Sequence, residues 1–517
     1  MKKLVLAASA GIIVATVATF FIFYSTNNQS ELSENQSKLS NVAQTQKIEN
    51  PSIKVLGTKT ILNATDPSLS INPKTGIIYA SYYKGTGQKD LHGNEASDVF
   101  LIKSSDNGNT FSEPTKVNDK TGDATSGGYT NPMQFGPNGE VYVEWQQIQE
   151  DPNFYGVTNI RLAKSLDGGS SFEPAIDPAK GLPTSEKLFP ELAVSKTGTI
   201  VIPYINNEFV EFNDENGTKI TYRTDNVDLV TQMPVLRSED GGKTFQQFIL
   251  DKDMCQCCDI ASTVGPDGEI YFAWRTSDRE YAAPNDPEHN KHVKYLNNYN
   301  DTEYLKALAS YDPAGKEAYD KGLTELPNKY STARDIVVAH SVDGGRGLEW
   351  SEPVRVQEKQ YMFNGCISIG PGIKFDSQGR LHVSYFTGAG EDGKMGYYYV
   401  NSDDNGKTWS KPTSLFSADY MAPLHNGAAL TVDENDNVWV SFMMLKDYQT
   451  TDNVWSSGKE YEMELNVYAL DRSGKILDKK QFDLDSHVFP SITATKQGTL
   501  LGYTNKQGAQ LVSLELV

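Results

Sequence analysis

The sequence predicts an all-β chain of repeated four-stranded units, on three observations. A short motif recurs along it: Ser104-Ser105-Asp106-Asn107-Gly108-Asn109-Thr110-Phe111 returns at Ser165–Phe172, Ser238–Phe245 and Ser402–Trp409. A fifth copy, Ser341-Val342-Asp343-Gly344-Gly345, reaches its aromatic late, at Trp350, and a faded sixth stands at Leu470-Asp471-Arg472-Ser473-Gly474. Such a segment makes a tight hairpin: the Asp caps backbone N–H groups, Gly takes positive φ, and the aromatic packs inward. The composition agrees, with 27 Tyr and 21 Phe favouring strands, and 42 Gly and 23 Pro supplying turns.

Each motif sits between the third and fourth strands of a unit. The first unit runs Ser68–Asn72, Gly76–Tyr83, Val99–Ser104 and Pro114–Val117, and others begin near Asn131, Pro190, Asp259, Ile367 and Gly427. The last, Ser491–Thr495, Thr499–Thr504 and Ala509–Val517, has only three strands, while Ile53–Leu62 is a spare strand at the other end. The motif resembles the Asp-box (BNR) repeat of the sialidase family, whose members are β-propellers, over residues 53–517. The resemblance implies a β-propeller of four-stranded blades. The count gives seven blades, with Ile53–Leu62 closing the ring and removing an open sheet edge; six is the alternative if the last strands merge with the first blade.

The N-terminus adds a second region. Lys2 and Lys3 precede an uncharged run from Leu4 to Tyr24, long enough for one bilayer crossing. The lysines would stay inside, so the run reads as a membrane anchor, or as a signal segment if it is cleaved, with the chain exported and secreted in the second case. Residues 25–52, polar and without apolar period, read as a flexible linker to the propeller at 53–517. The net charge of −20 argues against a nucleic-acid partner.

Propeller topology puts the entry to each inner strand, and the loop between strands two and three, on one face. The long insertions at Asn206–Thr231 and Thr276–Thr332 fall there and read as walls or a lid over the channel mouth, the second with a helical pattern across Asp301–Gly322. All four cysteines approach the same face, as Cys255-Gln256-Cys257-Cys258 and Cys366, with His425 and His487 at the entries of later blades. Export favours disulfides, including a bond from Cys257 or Cys258 to Cys366, whereas thiolates beside His would suit copper or zinc.

Sialidase chemistry needs cations on a carboxylate, a carboxylic acid and a nucleophile. The resemblance implies three arginines at the mouth, the first beside the opening inner strand, yet Asn63-Ala64-Thr65-Asp66-Pro67 stands there and no arginine precedes Arg161. Glu191, Asp66, Asp259, Tyr361 and Arg275 are the acid–base, nucleophilic and anion-binding candidates by position. Three function classes follow: a surface protein that binds or processes a glycan or other cell-surface ligand, a metal-binding or redox propeller, and a non-catalytic interaction scaffold.

Overall fold

A computed structural model of the chain describes residues 51–89, 95–125, 132–148, 158–213, 219–223, 231–252, 254–255, 258–277, 332–363, 367, 369–422, 426–450, 461–484 and 489–517. These form a seven-bladed β-propeller of four-stranded blades, with no helix among the described residues. None is therefore long and apolar enough to cross a membrane. The run Leu4–Tyr24, the linker at 25–50 and the segment 301–322 lie outside the described residues.

The third blade shows the common plan. Ala193–Val194 lines the axis, then Ile200–Pro203, Met233–Ser238 and Gln246–Asp251 follow outward, each antiparallel to the last. The fifth repeats it with Gly372–Phe375, Leu381–Thr387, Met395–Ser402 and Thr413–Ala418. Middle strands are sandwiched between neighbouring blades, so both of their faces are apolar. Val438–Leu445 is buried at all eight positions. Trp145, Trp274 and Trp439, on second strands, are fully buried, and truncating one to alanine costs about 3–5 kcal/mol.

The recurring motif folds as its chemistry requires. In the first copy Ser104 Oγ donates to Asp106 Oδ1 at 2.8 Å and accepts the Gly108 amide at 2.9 Å. The Asp106 carboxylate also takes the Thr110 amide and hydroxyl, at 2.9 and 2.6 Å. The same bonds recur around Asp167, Asp240 and Asp404. In the fifth copy Glu269 takes over part of the work, accepting the Ser341 hydroxyl and the Gly344 and Gly345 amides.

The ring closes with the N-terminal strand. Ile53–Leu62 is the outermost strand of the seventh blade, antiparallel to Gly508–Leu516 from Ile53↔Leu516 to Leu62↔Gly508, with a bulge between Val55 and Gly57. The six-bladed alternative is thereby excluded. One insertion differs from expectation. Within Asn206–Thr231, Ile205–Asn213 pairs with both Lys219–Arg223 and Ser185–Leu188, so it extends the second blade's sheet. Ser185–Leu188 supplies the free edge that draws it into strand.

Candidate functional site

The seven inner strands enclose a channel of about 670 Å3. Its walls follow from strand alternation counted back from the turn that ends each inner strand, where the amides of Asn72, Gly136, Ser195, Gly265, Asp376 and Asp433 close on the next strand. Two residues back lies a lower ring of Ser70, Gln134, Ala193, Thr263, Lys374, Thr431 and Thr493. Four back lies an upper ring that includes Ser68, Glu191, Ala261, Gly372, Ala429 and Ser491. Six back lies the entry, with Phe189, Asp259, Gly427 and Phe489. The intervening positions, such as Leu69, Leu192, Ile373 and Ile492, point between blades and are buried.

Glu191 and Asp259 are the acidic groups of this channel. Burial raises the Glu191 carboxyl to about 7, although the Ser262 hydroxyl donates to its Oε1 at 2.6 Å and Lys374 favours its charge. Burial and the charge of Glu191 push Asp259 up to about 8. Two glycines make room for Asp259. A Cβ on Gly370 would lie 2.5 Å from Asp259 Cβ, and one on Gly427 would lie 3.0 Å from its Oδ2. Behind Glu191, on the second blade's second strand, Glu144 is fully buried, and neither of its carboxyl oxygens meets a hydrogen-bond partner. Burial, then the nearby Glu191, raises its carboxyl well above the ordinary range, so it is held protonated. At the entry the Phe189 and Phe489 rings stand 6.4 Å apart, tilted by 46°, with Phe189 in the left-handed region at φ 46°.

The other expected site residues go elsewhere. Arg275 is wholly buried, and its guanidinium donates to the carbonyls of Ile369, Arg334 and Phe386, tying the fourth blade to the fifth. Tyr361 is buried against Gly388 and Asp335, its amide 2.8 Å from Asp335 Oδ1, and burial raises its phenol. Asp66 is buried at φ 49°, its amide bonded to Thr504 Oγ on the seventh blade at 2.9 Å. None of these three lines the channel, so the set expected from position alone narrows to Glu191 and Asp259.

Cys255 and Cys258 form a disulfide within the motif, with Cα atoms 5.8 Å apart and both residues buried. Of the two bonds expected to Cys366, the one from Cys258 is therefore not made, and the one from Cys257 falls outside the described residues. In this oxidised form two thiolates leave the ligand set expected for copper or zinc. Cys257, Cys366, His425 and His487 lie outside the described residues. Among the described residues no three His, Cys, Asp or Glu side chains are grouped to hold a metal ion.

Sequence reasoning missed Glu144 and Lys374. Both stand inside β-rich runs, Val141-Tyr142-Val143-Glu144-Trp145 and Gly372-Ile373-Lys374-Phe375, where a charge reads as an outward position. Only the turn-to-strand count places Lys374 on the axis.

No protein-family model matches this chain, and no curated protein matches it. Solved structures are similar to it at low identity. A Dyadobacter fermentans protein of unknown function is 16% identical, over 90% of this chain and 99% of its own, with a TM-score of 0.41. A Penicillium chrysogenum alpha-L-arabinanase complexed with arabinobiose is 12% identical, over 83% and 98%, at 0.41. A Hadza microbial sialidase is 12% identical, over 90% and 96%, at 0.42.

Proposed function

We propose that this chain binds and cleaves a glycan at the mouth of its channel, outside the cell membrane. Asp259 acts as the general acid and Glu191 as the carboxylate that serves as base or nucleophile. The observation that carries the reading is the pair of enclosed carboxyls held near neutrality at about 7 and about 8, Asp259 at an aromatic entry and Glu191 one layer below it. Glycoside cleavage needs a carboxyl that keeps its proton beside one that has lost it, and environment alone must separate them. Burial and the neighbouring charge do so here. Export is supported by Lys2 and Lys3 ahead of the run Leu4–Tyr24 and by the Cys255–Cys258 disulfide.

Sialic acid is a poor fit. The charged residues among the described lining are Lys74, Glu191, Lys196, Asp259 and Lys374, and none is an arginine. The anomeric carboxylate of a sialoside would meet no arginine clamp at the level of Glu191. The test is release of reducing sugar from a panel of plant and microbial oligosaccharides, with a fluorogenic sialoside included. Turnover of at least one oligosaccharide is expected, reduced about 10²–10⁴-fold by Glu191→Gln or Asp259→Asn. Robust sialoside turnover, or oligosaccharide turnover indifferent to both substitutions, would overturn the assignment.

A further inference from the structure

Three lysines line the channel, and two are engaged. Lys74 donates to the Pro137 carbonyl and Lys196 to that of Pro266, each bridging to the next blade at the turn end of the channel. Lys374 is different. It projects from the fifth blade's inner strand into the channel, and among the described residues its ammonium has no hydrogen bond or ion pair; the charge that acts on it is Glu191. Water reaches it, yet it is surrounded by protein, and that desolvation lowers its pKa.

The rest of the ring repeats this condition. Among the described residues the hydroxyls of Ser70, Thr263, Thr431 and Thr493 and the amide of Gln134 make no side-chain hydrogen bond, although all line the same layer. A polar ring around one unmatched cation is complementary to an anion that also carries hydroxyl groups. Strand rise puts this ring about 6.6 Å below Glu191's ring, the step of two residues.

We infer that the lower ring is an anion-binding subsite, and that the glycan entering the channel carries a carboxylate or sulfate across the sugar ring from its scissile bond. This rests on the proposed glycan cleavage for the position of the reacting bond. The offset between the rings is what excludes a carboxylate on the anomeric carbon itself. It fits a uronic acid, whose carboxyl lies at C6, or a sugar sulfated at C6.

The test compares binding of three probes by calorimetry at low and moderate salt: oligogalacturonate, a 6-O-sulfated galacto-oligosaccharide and the neutral galacto-oligosaccharide. At least one acidic probe binds about tenfold tighter than the neutral one, the size expected for one charge-assisted contact in an enclosed site. Which acidic probe shows the preference separates carboxylate from sulfate. Lys374→Met brings the acidic probe's affinity down to the neutral level, and Lys374→Arg retains part of the preference. The Met variant also melts higher than the parent, because an unpaired ammonium leaves the channel, which guards against misfolding as the cause. Equal affinity for all three probes, or a preference that survives Lys374→Met, overturns the subsite while leaving cleavage by Glu191 and Asp259 standing. Lysine-dependent binding of the acidic probe without cleavage of any saccharide overturns the enzymatic reading and leaves the subsite. No binding of any probe overturns both.

Discussion

Burial opposes the ionisation of Glu191 and of Asp259, and the charge on Glu191 adds to it at Asp259. The pair then has one proton between about pH 7 and about pH 8, and these apparent values belong to the pair. A profile of kcat/KM against pH should rise as Glu191 loses its proton and fall as Asp259 loses its own, with a narrow maximum between; a plateau from pH 5 to 9 would refute the roles. Stability follows with the opposite sign to an ordinary ion-paired carboxylate. Unfolded carboxyls ionise near 4, so from there up to the folded values the native state holds protons that the unfolded state has lost. Stability therefore falls as pH rises through that window and stays low above it. Glu191→Gln and Asp259→Asn should raise Tm more at pH 9 than at pH 4, measured by calorimetry; equal gains would show that neither carboxyl is perturbed. Gly427→Ala probes the same space more gently. Its Cβ would sit 3.0 Å from Asp259 Oδ2, so glycan turnover should fall while Tm hardly moves. That Glu191 and Asp259 line the channel was legible in the sequence, because each stands just ahead of an inner strand. Tyr361 also stands ahead of an inner strand and Arg275 ends a second strand, yet neither lines the channel, since position along the chain does not say which way a side chain turns.

The hairpins make the fold legible, because the Ser-x-Asp-x-Gly segments at Ser104, Ser165, Ser238 and Ser402 settle their bonds within about eight residues; only the copy at Ser341 draws on a distant partner, Glu269. Asp240 accepts from the Lys243 and Thr244 amides, the Thr244 hydroxyl and Ser238 Oγ. These donors hold its carboxyl well below the usual range. The contribution is thus fully present above about pH 4 and is lost as pH falls through the folded value. Asp240→Ala should lower Tm at pH 7, with the deficit shrinking toward pH 2, and should leave glycan turnover unchanged because the hairpin lies away from the channel entry. A loss of turnover at unchanged Tm would contradict this division between scaffold and site. Elements with distant partners were harder to read. Ile205–Asn213 becomes strand because Ser185–Leu188 offers an edge twenty residues away in sequence, and its own composition carries no sign of that. Cys255 and Cys258 are near enough in sequence to pair locally, whereas inter-blade proximity had suggested Cys366 as the partner of Cys258 or Cys257.

Closure of the ring joins the two ends of the propeller and is the property of the whole molecule that the sequence announced most directly, through an incomplete last blade and a spare first strand. The strand Ile53–Leu62 is mostly exposed on its outer face, so little apolar burial holds it. What it supplies is a ladder of backbone hydrogen bonds along Gly508–Leu516, reinforced by the Ile53 amide on Asp478 Oδ2 at 2.6 Å. Without it Gly508–Leu516, buried at its first five positions, becomes an open edge, a template for pairing with another chain. Removing residues 1–50 should leave Tm unchanged. Removing residues 1–62 should lower it by several degrees and produce dimers or larger species in light scattering. A synthetic peptide spanning residues 51–63, added in excess, should restore the parent's mass in light scattering and raise Tm with its concentration, by mass action. If the shorter propeller keeps the parent's mass and Tm, the first strand decorates the seventh blade, and closure must come from packing between the inner strands of the first and last blades.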